Sequence, residues 1–446
     1  MGTREYSQRE AALAVVQRLK SAGHEALWAG GCVRDELRGV FPNDYDVATS
    51  AVPDESRQLF QKRVEVGAQF GVLVVLDFGA PVEVATFRTD GAYQDGRRPE
   101  GVTFTSAEED AKRRDFTVNG LFYDPERETV IDYVGGQEDL NQQRLRAIGD
   151  PHARFREDKL RLMRAVRFAA ELDFEIEPAT WAAMTAMAAE IGVVSPERIR
   201  QELCKTFLSQ NRVRGFDLLD ASGLLEQILP EVSALKGCEQ PPEFHPEGDV
   251  FVHTRIMLSL LPETVSLPLV LGVLFHDIGK RPTYTVDDTG RIRFNGHDRV
   301  GAAMTERLME RLRFSRDEIE ATVEIVRQHM VFKDVQQMRV AKLKRFMSRP
   351  TFDEELELHR VDCSSSHGML DNYVFLQEQS EAFANEPLIP QPLINGRDLI
   401  AAGWKPGPLM GEILAEVQTR QLEGALTNRE EALSWVQEAF QSKRSD

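Results

Sequence analysis

The sequence predicts an α+β N-terminal part followed by an all-α remainder, and three observations carry that prediction. Between residue 26 and about residue 150, short apolar runs alternate with turn residues and helical stretches. From Asp158 to Leu235 the pattern is amphipathic, and Ser195 followed by Pro196 is typical of a helix start. Residues 251–385 favour helices joined by loops, with one hairpin candidate in TYTVDDTGRIRF.

Composition limits the class of protein. The chain has 446 residues, 42% of them hydrophobic and 28% charged, so we expect several domains with sizeable cores. No apolar stretch approaches the roughly 18 residues that span a bilayer, and the polar N-terminus lacks the apolar segment of a signal peptide. We therefore expect a soluble, cytoplasmic protein without a membrane partner. The cysteines form no CxxC pair, which argues against a disulfide framework or zinc finger: Cys32, Cys204, Cys238 and Cys363.

Two boundary segments divide the chain. CEQPPEFHPEGD (238–249) is rich in proline and acidic residues, and PLIPQPLING (387–396) is typical of a linker. With the change of pattern near residue 150, they predict four parts. These are an α+β domain over 1–150, a helical segment over 151–237, a larger helical domain over 238–390 and a helical tail over 391–446.

The charge of the chain favours a localised ligand over diffuse nucleic-acid binding. A formal net charge of -18 argues against non-specific attraction of nucleic acid, and we expect no DNA partner. Two segments nevertheless carry six basic residues each, Arg154–Arg167 against two acidic ones and Lys333–Arg349 against one. Basic islands on an acidic protein indicate a phosphate-rich ligand that is bound at a defined place.

The first candidate site lies in LWAGGCVRDELRGVFPNDYDVAT (27–49). If Asp44 and Asp46 lie on a strand, their carboxylates share one face, which is costly unless divalent cations sit between them. Gly30-Gly31 would let a phosphate approach the start of a helix that carries Arg34. Phosphoryl transfer with Mg²⁺ needs these groups, with Asp44 and Asp46 as catalytic metal ligands. The alternative is an ordinary surface turn, because DxD alone is common.

Several motifs together resemble class II tRNA nucleotidyltransferases, the CCA-adding and bacterial poly(A) polymerase family. GGCVRDELRG and DYDVAT resemble the metal-binding motif of that family, KRRDFTVNGLFYDP (112–125) its sugar-selecting motif, EDKLRLMRAVRFA (157–169) its base-reading motif and ERIRQELCKTF (197–207) its last neck motif. The resemblance implies a polymerase-beta-like nucleotidyltransferase head, a helical neck, Mg²⁺, CTP, ATP and a tRNA 3′ end. Tyr45 departs from the small or aliphatic residue that is more familiar there, and we expect it to face away from the metals.

The sugar-selecting motif supplies further candidates. Arg113 and Arg114 offer planar donors for phosphate or ribose oxygens, and Asp115 could orient one of them, although a solvated charge cluster is the alternative. Among these we assign Arg114 to nucleotide binding. Glu83 could add a third carboxylate to the metal site or be an ordinary edge-strand glutamate.

The base-reading motif predicts how a nucleotide is chosen. Asp158 and Arg161 would be i,i+3 neighbours on one helix, so both could face the base edge. Arg164 would contact base or phosphate, and Arg167 a phosphate or an ion-pair partner. The alternative is a surface ladder of aspartate and arginine.

Histidines and aspartates in the second half form another pattern. His253, the pair His276-Asp277 and Asp362 resemble the H...HD...D set of metal-dependent HD phosphohydrolases, and His297 and His329 would complete a two-metal set. Imidazole and carboxylate ligands suit a transition metal such as Mn²⁺, Co²⁺ or Ni²⁺. The resemblance implies an accessory phosphatase or 2′,3′-cyclic phosphodiesterase acting on RNA ends. His245, His359 and His367 have no assigned role.

The leading functional hypothesis is addition or repair of the 3′-terminal CCA of tRNA. Addition of A alone or of a poly(A) tail stays open. Two further alternatives are a protein that acts mainly as an HD phosphohydrolase on RNA ends and an RNA-binding module without catalysis. Intact carboxylates at both candidate sites argue against the last. A loop around Tyr93–Pro99 makes CC-only addition less favoured.

Overall fold

The computed structural model describes residues 7–65, 71–90, 101–241, 243, 245–385 and 387–443. The chain divides into two compact units. Unit 1 runs to Ser233 and includes Arg311–Phe314, and unit 2 comprises Ala234–Glu310 and the rest from Ser315 onward. An α+β head followed by a helical remainder is confirmed. The finer division into four parts stays a prediction, and the loop around Tyr93–Pro99 lies outside the described residues.

Unit 1 is built on a seven-stranded mixed sheet, as far as the described residues show. Its order is β3-β4-β5-β2-β1-β8-β9, and β2 and β5 are the parallel pair among antiparallel neighbours. The strands of the unit are β1 (Ala26–Ala29), β2 (Val47–Thr49), β3 (Arg63–Glu65), β4 (Val72–Val75), β5 (Val82–Thr86), β6 (Arg88–Asp90), β7 (Val102–Phe104), β8 (Phe122–Asp124), β9 (Thr129–Ile131), β10 (Arg144–Leu145) and β11 (Glu175–Ile176).

Helices cover this sheet and then form the remainder of unit 1. They are α1 (Gln8–Ser21), α2 (Gly31–Leu37), α3 (Pro53–Leu59), α4 (Ala107–Lys112), α5 (Gly136–Asn141), α6 (Pro151–Glu157), α7 (Leu160–Leu172), α8 (Pro178–Met187), α9 (Pro196–Leu208), α10 (Arg212–Ala221), α11 (Leu224–Ile228) and α12 (Pro230–Ser233), with 3-10 turns at Thr117–Asn119 and Ala188–Val193.

Local signals explain where the helices begin and end. At α1, the Ser7 hydroxyl accepts from the Glu10 backbone N–H while the Glu10 carboxylate accepts from the Ser7 backbone N–H, a capping box. Ser195 precedes α9 with Pro196 at its first position, as predicted. Gly223, with φ 80°, separates α10 from α11. Within unit 1, α7 and α9 pack against each other.

Unit 2 is helical apart from one hairpin among its described residues. Its elements are α13 (Val250–Leu260), α14 (Leu267–Phe275), α15 (Lys280–Thr283), β12 (Thr285–Val286), β13 (Ile292–Arg293), α16 (His297–Arg311), α17 (Arg316–Gln328), α18 (Val340–Met347), α19 (Phe352–Ser365), α20 (Asp371–Phe383), α21 (Gly396–Ala401), α22 (Pro408–Leu422) and α23 (Arg429–Ala439), with 3-10 turns at His329–Gln337 and Gln441–Lys443. The antiparallel pair β12–β13 is the predicted hairpin.

The last three helices have a core of their own. Leu399, Trp404, Ile413 and Val436 pack together among other apolar residues from α21 to α23. Ile394, near the end of the proline-rich segment that predicted a linker, also belongs to this core. Within the described part of the chain, no helix is both long enough and apolar enough to cross a membrane.

Gly279 marks the closest backbone approach in unit 2. A Cβ at this position would lie 2.1 Å from the carbonyl oxygen of His297 and 2.6 Å from the backbone nitrogen of Gly301. Both are backbone atoms of α16, so they cannot rotate away as a flexible side chain does. The absence of a side chain therefore brings the loop after α14 against the start of α16.

Gly279→Ala should lower the free energy of unfolding of unit 2 by at least about 2 kcal/mol, because the added methyl group forces two backbones apart. Gly411→Ala is the matched control, since a Cβ there meets nothing within 4 Å and a mid-helix alanine is favoured over glycine by up to about 1 kcal/mol. Thermal unfolding followed by circular dichroism compares them. Equal midpoints for the two variants would contradict this account of the packing.

Candidate active site

A cavity of about 650 Å³ opens in unit 1. Its walls come from α2, the segment before β2, strand β5, the end of α4 and helices α7 and α9. Although the chain as a whole is acidic, basic side chains outnumber acidic ones here. The basic residues are Arg34, Arg88, Arg113, Arg114, Arg161, Arg164, Arg167, Arg198 and Lys205, and the acidic ones are Asp44, Asp46, Glu83, Asp115 and Asp158.

The two predicted metal-binding aspartates lie together on the cavity wall. The expectation that they belong to the second strand was wrong, because β2 begins one residue after Asp46. Asp46 nevertheless continues the pairing with β1, because its carbonyl accepts a 3.0 Å hydrogen bond from the Ala29 N–H. Asp44 and Asp46 both line the cavity, while Tyr45 between them is buried and donates to the Glu36 carboxylate at 2.6 Å. Tyr45 thus faces away, as predicted.

Glu83 lies on the neighbouring strand and lines the same cavity. In the parallel register Val47 is opposite Val84, which brings Glu83 beside the aspartates. The edge-strand interpretation is wrong, because β5 lies between β4 and β2. Three carboxylates therefore share one part of the cavity wall.

Burial and mutual repulsion shift the protonation of these carboxylates. Partial desolvation at the cavity wall raises the pKa of Asp46 to about 7, although the residue stays accessible to solvent, with further contributions from Glu83 and Asp44 and an opposing one from Arg114. Burial, followed by the Asp44 charge, also raises the pKa of Glu83. A cluster of carboxylate oxygens is the ligand set that hard divalent cations such as Mg²⁺ prefer, so the residues present fit that ion.

At the turn Gly30-Gly31, backbone without side chains lines the cavity. Gly30 has φ 75°, and a Cβ there would lie 2.9 Å from Nη1 of Arg114. Arg34 on α2 is buried and donates to the Asn119 side-chain oxygen at 2.6 Å and to Asp35 at 2.8 Å. These contacts hold the guanidinium of Arg34 against the cavity wall, where an anionic group of a ligand can reach it.

Asp110 holds the two arginines of the sugar-selecting motif. Its carboxylate lies 2.6 Å from Nη2 of Arg113 and 3.0 Å from Nη2 of Arg114. Burial alone would raise the pKa of Asp110, but the two guanidinium groups outweigh it and hold the pKa below its usual value. The hypothesis that Asp115 orients Arg113 or Arg114 was therefore wrong. Helical spacing contained the signal for Asp110, which precedes these arginines by three and four residues.

Asp158 and Arg161 both line the cavity, but not as neighbours on one helix. That prediction was wrong, because α6 ends and α7 begins on either side of Asp158, whose backbone is extended at φ −140°. Arg161 donates to the carbonyl oxygens of Arg154 at 2.9 Å and Arg113 at 3.0 Å. The break in the helix, rather than helical periodicity, places the two side chains on the same cavity.

Arg198 was missed by the sequence analysis and binds Asp158. Its Nη2 lies 2.7 Å from Oδ2 and its Nη1 lies 3.2 Å from Oδ1 of that carboxylate. Arg198 belongs to ERIRQELCKTF, four residues before Glu202 on α9. This i,i+4 spacing indicates a shared helix face, but it does not identify the partners, which lie between α6 and α7 for Arg198 and on α7 for Glu202.

Arg164 and Arg167 have different surroundings. Arg164 donates to Asp115 at 2.7 Å, and although burial would raise the pKa of Asp115, Arg164 and Arg161 hold it at about 2. Arg167 donates to Glu202 at 2.5 Å and to Glu171 at 2.8 Å. Of the two alternatives for Arg167, the structure has the ion pair, while Arg164 keeps a partly exposed face toward the cavity.

Comparison with known proteins places this geometry in a family. A family model described as the Poly A polymerase head domain matches residues 26–146. Models described as "Probable RNA and SrmB- binding site of polymerase A" and as tRNA nucleotidyltransferase domain 2 match residues 173–236 and 300–436. The CCA-adding enzyme of Levilactobacillus brevis is 33% identical over 95% of this chain and 96% of its own length. The chain belongs to the CCA-adding enzyme family.

Other members of this family agree over the whole length. The CCA-adding enzyme of Limosilactobacillus reuteri is 34% identical, with 94% of each chain covered. The solved structure of the Bacillus stearothermophilus CCA-adding enzyme in complex with CTP matches with a TM-score of 0.73 and 26% identity, and 99% of each chain is covered. A Thermotoga maritima CCA-adding enzyme complexed with tRNA shares the fold at 18% identity and a TM-score of 0.61.

This member of the CCA-adding enzyme family also has a buried histidine cluster in unit 2. Two triplets each bring their ligand atoms within 4.8 Å of one another: His253, His276 and Asp277, and Asp277, His297 and His329. Asp277 belongs to both. All five side chains are buried, and they come from α13, the end of α14, the start of α16 and the end of α17.

Asp362 on α19 lies beside this cluster, with Oδ1 3.1 Å from Nε2 of His253. It also lines a cavity of about 380 Å³ together with Asp277, His297 and His329. The structure thus brings together the four residues of the H...HD...D pattern and the two histidines, His297 and His329, that would complete a two-metal set. His245, which had no assigned role, also lines this cavity, and its Nδ1 lies 2.9 Å from Glu247.

The rings of the cluster are oriented through their Nδ1 atoms. Nδ1 of His276 lies 2.9 Å from the Val273 carbonyl oxygen, and Nδ1 of His297 lies 2.8 Å from that of Phe294. His329 makes the same contact with Val326 at 2.6 Å. A donor Nδ1–H leaves Nε2 as the lone-pair nitrogen, which is the usual arrangement of a metal-binding histidine.

His253 is oriented by a carboxylate instead. Its Nδ1 lies 2.7 Å from Glu247, a residue that the sequence analysis missed because it sits in the irregular segment before α13. Burial would lower the pKa of His253, but Asp362 and Glu247 raise it to about 9. In contrast, burial and the neighbouring His297 and His276 lower the pKa of His329 to about 4.

Several polar atoms at the centre of the cluster are buried without a hydrogen bond. They are Nε2 of His253, Nε2 of His276 and Oδ2 of Asp277. The last two lie 3.0 Å apart, but their geometry makes no hydrogen bond. Two of these atoms nevertheless have a charged neighbour, because Nε2 of His253 lies 3.1 Å from Oδ1 of Asp362 and Oδ2 of Asp277 lies 2.7 Å from Nζ of Lys280. Imidazole nitrogens and carboxylate oxygens that converge in this way fit a transition-metal ion.

Proposed function

We propose that this chain is a template-independent tRNA nucleotidyltransferase that adds or repairs the 3′-terminal CCA with CTP and ATP. The observation that carries the proposal is the carboxylate group Asp44, Asp46 and Glu83 on the wall of a cavity lined mainly by basic side chains. Membership of the CCA-adding enzyme family supports it. The bacterial tRNA 3′ end, CTP and ATP are the proposed substrates.

The proposed reaction is a two-metal phosphoryl transfer. The RNA 3′-hydroxyl loses its proton, its oxygen bonds to the α-phosphorus of the nucleotide, and pyrophosphate leaves. Asp44 and Asp46, with Glu83 beside them, would hold Mg²⁺, which when bound supplies activation of the hydroxyl and stabilisation of charge on the triphosphate. Arg34, Arg113 and Arg114 would donate to phosphate or ribose oxygens.

Base choice is proposed to depend on Asp158 and Arg161. Cytosine and adenine present an exocyclic amino donor beside an unprotonated ring nitrogen, whereas uracil and guanine present a carbonyl acceptor beside an N–H. A carboxylate accepts from the amino group and a guanidinium donates to the ring nitrogen. The same pair opposes uracil and guanine, because the carboxylate would face a carbonyl acceptor and the guanidinium would face an N–H donor.

A second activity is favoured by the histidine cluster of unit 2. Five buried histidine and aspartate side chains form two triplets that share Asp277, Asp362 lies beside them, and the cluster borders a cavity of about 380 Å³. We assign this cluster to an HD-type phosphohydrolase that acts on RNA ends with a transition metal. Lys280, whose Nζ lies 2.7 Å from Asp277 and which lines the same cavity, would favour an anionic substrate there.

Asp44→Ala and Asp46→Ala should each lower nucleotide addition by at least about a thousandfold, because the ligands that hold the catalytic cations are lost. RNA affinity should stay within about threefold, since these carboxylates do not dock the RNA. Primer extension is measured on tRNA lacking CCA, on tRNA lacking only A and on an unrelated RNA, which also separates CCA addition from A-only and poly(A) addition.

Asp54→Ala serves as the control, because its carboxylate is largely exposed and lies outside the cavity lining. Incorporation by either cavity variant within about tenfold of wild type would remove this site from the mechanism.

Asp158→Ala should raise the use of UTP and GTP relative to CTP and ATP by about tenfold or more, since a matched bidentate contact discriminates by about 1–3 kcal/mol. Arg161→Ala should act in the same direction. Competition between pairs of nucleotides gives the ratios of kcat/KM. Arg156→Ala is the control, because Arg156 is exposed on α6 outside the cavity. Wild-type preference in both cavity variants would show that the base is selected elsewhere.

The double variant His276→Ala, Asp277→Ala should lose bound Mn²⁺, Co²⁺ or Ni²⁺ and any hydrolysis of RNA 3′-phosphate or 2′,3′-cyclic ends, because ligands from both triplets are removed. It should still extend tRNA. Metal content by mass spectrometry and hydrolysis of both end types are measured. His152→Ala, an exposed histidine of unit 1, is the control. A metal-loaded wild-type protein that hydrolyses neither end would refute the second activity.

A further inference from the structure

Asp158 lies between α6 and α7, so helical geometry does not fix the direction of its carboxylate. Its backbone is extended, with φ −140° and ψ 107°. A side chain on such a linker samples more than one rotamer unless its polar atoms are held. The contacts of the two carboxylate oxygens therefore decide where Asp158 points.

Two groups hold that carboxylate. Oδ1 accepts from the Leu160 backbone N–H at 3.0 Å and from Nη1 of Arg198 at 3.2 Å. Oδ2 accepts from Nη2 of Arg198 at 2.7 Å. A carboxylate offers about four acceptor positions, so these three bonds leave one open, on Oδ2. The Arg198 fork fixes the plane of the carboxylate and so the direction of the open position.

Arg198 is itself fixed by its helix. On α9 it lies one turn before Glu202, which binds Arg167 of α7 at 2.5 Å. One face of α9 thus carries a cation that pairs with Asp158 and an anion that pairs with Arg167. The fork reaches Asp158 from a helix that packs against α7.

We propose that Arg198 is a positioning residue for nucleotide selection, which aims the open Oδ2 position of Asp158 at the exocyclic amino group of cytosine or adenine. Arg198 acts through Asp158 and contacts no reacting atom. This inference rests on the proposed function, in which Asp158 selects the base. It extends that function to a residue on a different helix.

The planar fork is the essential feature of Arg198. A lysine would keep the positive charge but offer a single compact donor group, which cannot fix the carboxylate plane through two parallel bonds. If Arg198 orients the carboxylate through two bonds, Arg198→Lys should weaken base selection. If Arg198 supplies only positive charge, for example to attract phosphate, Arg198→Lys should behave as wild type.

The experiment measures the ratio of kcat/KM for CTP and ATP to that for UTP and GTP, in Arg198→Ala, Arg198→Lys, Asp158→Ala and the double variant Asp158→Ala, Arg198→Ala. An unfolded fraction lowers all four rates equally and leaves the ratio unchanged, so the readout does not depend on full folding. Arg156→Ala, an exposed arginine outside the cavity, is the control.

We expect Arg198→Ala to lower the ratio by about fivefold or more, Arg198→Lys to fall between it and wild type, and the double variant to match Asp158→Ala within about twofold, because the arginine acts only through the aspartate. A wild-type ratio in Arg198→Ala beside a lowered one in Asp158→Ala would overturn the inference and leave the proposed base selection standing. A wild-type ratio in both single variants would overturn both.

Two other results also overturn the inference. One is a wild-type ratio in Arg198→Lys, which would mean that charge alone suffices. The other is a full additional loss when Arg198→Ala is added to Asp158→Ala, which would mean that Arg198 acts independently of the carboxylate.

Discussion

Repulsion among three carboxylates is the constraint around which unit 1 is organised. The parallel pairing of β2 and β5 holds Glu83 beside Asp44 and Asp46, and partial desolvation together with this repulsion raises the pKa of Asp46 to about 7. Nearby positive charge favours the ionised form of such a group. The cavity supplies positive charge through arginines from several helices.

The arginines in turn need partners, because a buried guanidinium without one is costly. Asp110 binds Arg113 and Arg114, Asp115 binds Arg164, and other acidic residues bind Arg161, Arg167 and Arg198. Three of these ion pairs join residues three or four positions apart, and the other three join segments that are distant in the sequence. Their common effect is to hold cationic groups at defined positions, so that a ligand meets an ordered surface.

The histidine cluster of unit 2 follows the same logic with different ligands. Imidazole rings replace most of the carboxylates, and backbone carbonyls or Glu247 hold each Nδ1 atom so that Nε2 faces inward. Gly279 lets the loop with His276 and Asp277 lie against the helix that begins at His297. The two clusters differ in ligand softness, oxygen alone against nitrogen with oxygen, and therefore in the metals that suit them.

The sequence by itself determined the α+β and all-α order, the hairpin in unit 2 and the helix start at Ser195. It also identified most residues of the carboxylate and histidine clusters as candidates. These features depend on short-range periodicity, capping and motif spacing, which act within a few residues of the chain. The expectation that Tyr45 faces away from the two aspartates came from the sequence as well.

Only the tertiary structure decided which charged groups meet. Helical spacing placed Asp158 and Arg161 on one helix, but packing against α9 accompanies a break there, and Arg198 binds Asp158 instead. Asp115 follows two arginines directly yet binds Arg164, which is 49 residues away. The position of Glu83 inside the sheet depends on strand order. Such pairings are set by how separate elements pack, and neighbours in sequence carry no record of that packing.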